Sequence, residues 1–272
     1  MHTTLIQRSL SDPKSNAWSF QGEPIVAFPT EFQTRLNKYT SLVDHYSTGY
    51  ILPPNVDLVI RRAPQAQVSS RASGRDKDYP SFPYGLAYLN HGKPKGGAAF
   101  HYLVFPQKNV EQLSQIADEM ASDQPPVTIV ENSANAHVIY DHTAEMWAAS
   151  FFKGFNGLGF NEMDQKWLVK SVSRGCLIMY SEDADGRVQF SISDPDLHET
   201  YNRGDNQFTG NLSYGRTPFY LSLYGYYEVP SEEGVEVSYE RGGFTHITFP
   251  AYKGQTTQLQ LKPFVPQESQ VQ

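Results

Sequence analysis

The 272-residue chain holds one cysteine, Cys176. That excludes an internal disulfide framework and any metal site built from several thiolates. No apolar run approaches the ~20 residues a membrane-spanning helix requires, and the mean hydropathy is −0.50. The opening residues Met1-His-Thr-Thr-Leu-Ile-Gln-Arg8 lack the apolar stretch and cleavage site of a secretory signal. The expectation is a chain with neither signal peptide nor membrane contact. A phosphate-binding loop is also missing, because Gly154-Phe-Asn-Gly-Leu-Gly159 has the wrong glycine spacing and no βαβ context. There is no Gly-x-Ser-x-Gly elbow. His137 and His142, the isolated pair His198-Glu199, and Asp183 with Asp185 all fall short of metal-ligand patterns. No cofactor and no metal are therefore expected.

Short β-rich runs fill much of the chain: Ala98–Phe105, Val127–Val130, His137–Tyr140, Trp167–Val172, Cys176–Tyr180, Val188–Ile192, Phe219–Tyr224, Val235–Tyr239, Thr245–Phe249 and Thr257–Leu261. In Val188, Phe190 and Ile192 the apolar residues sit two apart, which puts them on one face of a strand. Asp183-Ala-Asp-Gly186 has the composition of a hairpin turn. Residues 109–121 depart from this pattern, since Val110, Leu113, Ile116, Ala117 and Met120 recur at helical spacing. Asn109 is placed to cap that helix, with Gln112 returning the bond. The expected fold class is all-β: two antiparallel β-sandwich domains with one short amphipathic helix. Glycines near Phe155–Gly159 place the boundary at 155–165, giving domains 1–160 and 161–265 and a polar, frayed tail at 266–272.

Net charge is −7, the wrong sign for a general polyanion binder. Residues 56–97 run the other way, with seven basic side chains against three acidic ones, a local +4. Arg61, Arg62, Arg71, Arg75 and Lys77 belong to this island, and Tyr79, Phe82, Tyr84 and Tyr88 lie beside these basic residues. Guanidinium forks pair with sulfate or carboxylate, and aromatic faces stack on the apolar faces of sugar rings. Arg61, Arg62, Arg71, Arg75, Lys77, Tyr79, Tyr84 and Tyr88 are thus the candidate contacts for an acidic polysaccharide. A merely solvated, arginine-rich loop is the alternative reading. Nucleic acid would use similar chemistry, but the acidic chain carries no nucleic-acid module.

The order of several segments resembles a known family. They are Thr3–Gln7, Leu42-Val-Asp-His-Tyr-Ser-Thr-Gly-Tyr50, Ala87-Tyr-Leu-Asn-His-Gly92, Ala99–Phe105 with the following helix, Asp164-Gln-Lys-Trp-Leu168, and Val188–Pro195. In this order they resemble the C-terminal, all-β portion of the family 8 polysaccharide lyases, in particular the broad-specificity chondroitin sulfate ABC lyases. The resemblance implies a secreted or periplasmic bacterial parent that joins a helical toroid to β-sandwich domains. Such enzymes cleave by β-elimination at a uronic acid, with Asn, His, Tyr and Arg supplied by the toroid and, in ABC lyases, a Glu early in the central β domain. None of these positions can be matched here, so no catalytic residue is assigned. Residues 1–160 would be the end of the central sandwich and 161–265 the small terminal one. The resemblance implies a non-catalytic module that grips chondroitin sulfate, dermatan sulfate or hyaluronan beside the helical catalytic domain. Two alternatives stay open: a structural support without affinity of its own, and a part of an active lyase.

Overall fold

The computed structural model describes residues 2–66, 81–93, 100–156, 167–195, 199–202, 207–210, 217–229, 234–251 and 256–271. Chain contacts separate Met1–Pro126 from Val127–Gln272 as two units. In the first, β1 (His2–Ser9), β2 (Trp18–Phe20), β3 (Glu23–Ile25), β4 (Thr30–Arg35) and β5 (Thr40–Val43) come in order. They are followed by β6 (Thr48–Leu52), β7 (Asp57–Ala66), β8 (Ser81–Asn90), β9 (Leu103–Pro106) and the helix α1 (Val110–Glu119).

These strands form two antiparallel sheets, β1-β8-β7-β4 and β3-β2-β5-β6-β9. Ile6, Leu58, Ile60, Ala87 and Leu89 from the first sheet pack with Trp18, Leu42, Tyr50 and Leu52 from the second, which makes the unit a sandwich. The helix covers strands β5 and β6 with its apolar stripe. Leu113 is fully buried there, and a Cβ on Gly49 would sit 2.1 Å from its Cδ1, so the close approach requires glycine. The expected cap is present: the Gln112 amide donates to Asn109 Oδ1 at 2.8 Å, and the Asn109 amide donates to Gln112 Oε1 at 3.3 Å.

The second unit begins with β10 (Val127–Asn132), β11 (Ala136–Asp141), β12 (Met146–Phe151), β13 (Phe155–Asn156), β14 (Val169–Val172), β15 (Cys176–Glu182) and β16 (Val188–Ser193). It continues with β17 (Glu199–Asn202), β18 (Gln207–Gly210), β19 (Thr217–Tyr224), β20 (Tyr227–Glu228), β21 (Glu236–Glu240), β22 (Phe244–Ala251) and β23 (Thr256–Pro263). A seven-stranded sheet, β10-β11-β12-β15-β16-β23-β20, and a five-stranded sheet, β13-β14-β19-β22-β21, enclose the core, and β17 pairs with β18. Phe151, Ile178, Phe190 and Leu259 of one sheet meet Val169, Phe219, Leu221 and Phe249 of the other. The Asp183 turn is a hairpin, with Asp183 Oδ1 accepting from the Asp185 and Arg187 amides at 2.9 Å and Gly186 at φ +76°.

The fold is all-β with one helix, and three local expectations change. Strands β10 to β12 pair through β15 into the second sandwich, so the division falls at Pro126 rather than 155–165. Glycine-based punctuation misplaced it because the break between sheets is marked by the helix and Pro125-Pro126 instead. The strand expected at Ala98–Phe105 begins only at Leu103; Ala98 and Ala99 lie outside the described residues. The tail is not simply frayed, since Glu268–Gln270 forms a 3₁₀ turn and Val271 bridges Tyr239. Among the described residues no helix is long and apolar enough to cross a membrane.

Candidate binding face

Strands β7 and β8 run antiparallel over ten residues each, with Val59 opposite Tyr88, Arg61 opposite Leu86 and Ala63 opposite Tyr84. Successive side chains leave a strand on opposite faces. Leu58, Ile60 and Arg62 therefore enter the sandwich, while Arg61 and Ala63 lie on the other face with Val59, which its neighbours bury. On β8 the inward positions are Gly85, Ala87 and Leu89. Gly85 is required there because a Cβ would lie 2.2 Å from the Trp18 ring. The outward positions are Phe82, Tyr84, Leu86 and Tyr88. At two residues per ~6.8 Å of strand, Tyr84 and Tyr88 stand ~13 Å apart, with Arg61 between them on the neighbouring strand.

The result is a sheet face that combines aromatic rings with a guanidinium. Phe82 is 46% exposed, Tyr84 and Tyr88 are half-buried, and the His2 ring lies 5.2 Å from that of Tyr88. Arg61 is not unpaired: its Nε lies 3.3 Å from Glu31 Oε2, both side chains being exposed. Arg35 and Asp57 form a second exposed pair at 3.3 Å on the same face. Such pairs contribute little to stability, so an incoming sulfate or carboxylate can compete with Glu31 for Arg61 at small cost.

Arg62 has a different role from the one expected. It is fully buried and its fork is spent on the backbone. Nη2 donates to the carbonyls of Pro13 and Asn16 at 2.6 and 3.0 Å. Nη1 donates to Ala27 O at 3.2 Å and also to Ile25 O. Burial pushes this guanidinium below its ordinary pKa. Arg62 thus ties the 13–16 and 25–27 segments to β7 and cannot meet a ligand. Of the other candidates, Arg71, Arg75, Lys77 and Tyr79 lie outside the described residues. The structure brings Arg61, Tyr84 and Tyr88 onto one face. Alternation from Phe82 to Tyr88 carried that signal, and it also separates Arg61 from Arg62.

Other chemistry-bearing residues are engaged structurally. His142 Nε2 is 2.8 Å from Thr128 Oγ1, and His137 packs edge-on against Phe152 at 4.9 Å. Burial pushes the Cys176 thiol up to about 12, so it is a poor nucleophile. Among the described residues no three His, Cys, Asp or Glu side chains are grouped to hold a metal ion.

Comparison with known proteins gives this geometry a context. Residues 128–200 match the family model for the polysaccharide lyase family 8, C-terminal beta-sandwich domain. The chain is 22% identical over 264 residues to the chondroitin sulfate ABC endolyase of Proteus vulgaris, covering 97% of this chain and 23% of that protein. It is 22% identical over 207 residues to the xanthan lyase of Bacillus sp. strain GL1, covering 72% of this chain and 20% of that one. The chain therefore spans about a quarter or less of these relatives' length. A solved Paenibacillus xanthan lyase shares the fold at a TM-score of 0.67 and 15% identity, over 98% of this chain and 24% of its own. The chondroitin AC lyase of Streptomyces coelicolor A3 does so at 0.60 and 14%, over 97% and 29%. Residues 128–200 thus carry the family 8 C-terminal beta-sandwich match, and nearly the whole chain is similar to part of a chondroitin sulfate ABC endolyase and shares its fold with solved polysaccharide lyases.

Proposed function

We propose that the chain is a non-catalytic glycosaminoglycan-binding module, taking chondroitin sulfate, dermatan sulfate or hyaluronan on the outer face of the β1-β8-β7-β4 sheet. The observation that carries this reading is the register that sets Arg61 between the half-buried Tyr84 and Tyr88 on one sheet face. Sugar rings would stack on the tyrosines while Arg61 pairs with a sulfate or carboxylate. Arg71, Arg75, Lys77 and Tyr79 are proposed as further contacts on sequence grounds alone. The names of the relatives support the substrate class, since one is a chondroitin sulfate endolyase. In this reading the chain keeps a secreted or periplasmic bacterial lyase on its polymer, beside a helical catalytic domain, and cuts nothing itself.

The test is isothermal titration of the chain with chondroitin sulfate at low salt. Tyr84→Ala and Tyr88→Ala should each weaken binding about 2- to 12-fold, the equivalent of a 0.5–1.5 kcal/mol ring contact. Unchanged affinity in both variants would remove the sheet face from the account. Release of unsaturated uronate by the purified chain would contradict its non-catalytic role.

A second reading has its own observation. On the outer face of the seven-stranded sheet, Leu177 and Met179 are 44% and 46% exposed, with Ala148 paired beside Met179. This exposed apolar pair, bordered by Ser150, Ser191 and Ser193, suits a structural support covered by the parent's catalytic domain. Self-association of the chain without retention on a chondroitin sulfate column would favour it.

A further inference from the structure

The hairpin between β5 and β6 carries a second set of ligand-facing groups in the first unit, which the basic-island reading did not include. Its turn is fixed by Asp44, whose Oδ1 accepts from the Tyr46 amide at 2.8 Å and the Thr48 amide at 3.0 Å. This places Tyr46 at the tip with 62% of its surface exposed, more than Phe82 on the sheet face. Two donors flank the ring. Arg8 holds its Cζ 5.4 Å from the Tyr46 centroid, and the His45 ring centroid lies 4.1 Å away.

The polarity of these groups is one-sided. Asp44 is buried and turned inward to its own turn amides, with Oδ2 at 3.6 Å from Arg8 Nε. That ion pair anchors the near edge of the guanidinium. The Nη groups make no hydrogen bond among the described residues, and the Arg8 side chain is 46% exposed. The indole Nε1–H of Trp18 donates to His45 Nδ1 at 3.2 Å. This bond fixes the tautomer, so Nε2 carries the proton and acts as a donor. Burial also pushes His45 below its ordinary pKa, with Arg8 and Arg62 acting in the same direction and Asp44 opposing them. Together β1 and the hairpin thus offer the Arg8 guanidinium, an imidazole N–H and an exposed phenol ring held on the turn, while the hairpin's own carboxylate, Asp44, is withdrawn. Such a set favours an acceptor-rich anion attached to an apolar ring face.

We propose that Arg8, His45 and Tyr46 form a subsite for one anionic sugar residue of the polymer, its ring against Tyr46 and its carboxylate or sulfate on Arg8 with His45 Nε2–H as second donor. This rests on the glycosaminoglycan-binding reading and names a part of the grip that the sheet face does not supply.

The experiment uses the full chain, isotopically labelled. It is titrated by nuclear magnetic resonance with a hyaluronan hexasaccharide, a chondroitin 4-sulfate hexasaccharide and a neutral maltohexaose. Both anionic sugars should shift the amides of Asp44–Thr48 and the His45 ring signals; hyaluronan alone among them isolates the carboxylate, and stronger shifts with the sulfated sugar assign sulfate. Tyr46→Ala should weaken binding about 2- to 12-fold, and Arg8→Gln should weaken it by the loss of a charge-assisted bond, with the remaining spectrum unchanged in both. Equal shifts with maltohexaose would overturn the anionic assignment. Binding that is unaltered in both variants but reduced in Tyr84→Ala would overturn the subsite and leave the sheet face standing. No binding by the unsubstituted chain would overturn both.

Discussion

Replacing Arg62 by Met should destabilise the first unit severely without being a ligand effect. The guanidinium is fully buried and gives hydrogen bonds to the carbonyls of Pro13, Asn16, Ile25 and Ala27. Each bond to a charged group contributes about 1.5–3 kcal/mol net, but the four cannot be summed, because burying the cation costs several kcal/mol. Removing one partner of a buried charged network typically costs about 3–5 kcal/mol, since the carbonyls are left dry and unpaired. For a unit of this size that is a fall in Tm of roughly 10–20 °C. Arg61→Gln is the internal control. It removes an exposed pair with Glu31 at 3.3 Å and should cost under about 1 kcal/mol. Calorimetry of both variants decides the matter, with the first unit's transition moving for Arg62→Met and staying for Arg61→Gln. Equal, small shifts would refute the assignment of opposite roles to these adjacent arginines.

Three further outcomes are expected. Leu113→Ala should cost about 2.7–5 kcal/mol in urea unfolding, and Gly49→Ala, which clashes with Leu113 at 2.1 Å, should be less harmful in that background; additive effects would contradict the helix–strand contact. The buried Cys176, with its thiol pushed up to about 12, should resist thiol reagents in native buffer and react fully in urea, and rapid native labelling would contradict its burial. Glu240 is held below the usual carboxylate range by its hydrogen bond from His246 and by Lys170. A depressed carboxylate stabilises above its unfolded pKa and loses that contribution as pH falls through the lower folded value. His246→Gln should therefore raise the Glu240 titration midpoint seen by NMR, and an unmoved midpoint would rule out the pairing.

Local order was legible where a short-range rule decides it. Asn109 and Gln112 marked the helix start, the alternation of Val188, Phe190 and Ile192 marked a core-facing strand, and Asp183–Gly186 marked a hairpin. The division between units was not, because strands β10 to β12 find their partner only at β15, across a separation that local composition does not report. For the site, a count of charge treated Arg61 and Arg62 alike. Strand alternation sends one outward and one inward, and the inner one has backbone carbonyls from two other segments waiting for it. The Arg8–His45–Tyr46 group joins β1 to a turn 37 residues away through the Asp44 carboxylate; no single window of sequence contains it.

The central claim is a grip on acidic polysaccharide without chemistry of its own, and a salt series tests it most directly. Titration of the chain with chondroitin sulfate should give binding that weakens steeply as ionic strength rises from about 0.01 M to 1 M, where the screening length falls from about 30 to 3 Å, while a neutral dextran gives none. Absence of binding at the lowest salt, or equal affinity for dextran, would contradict the account.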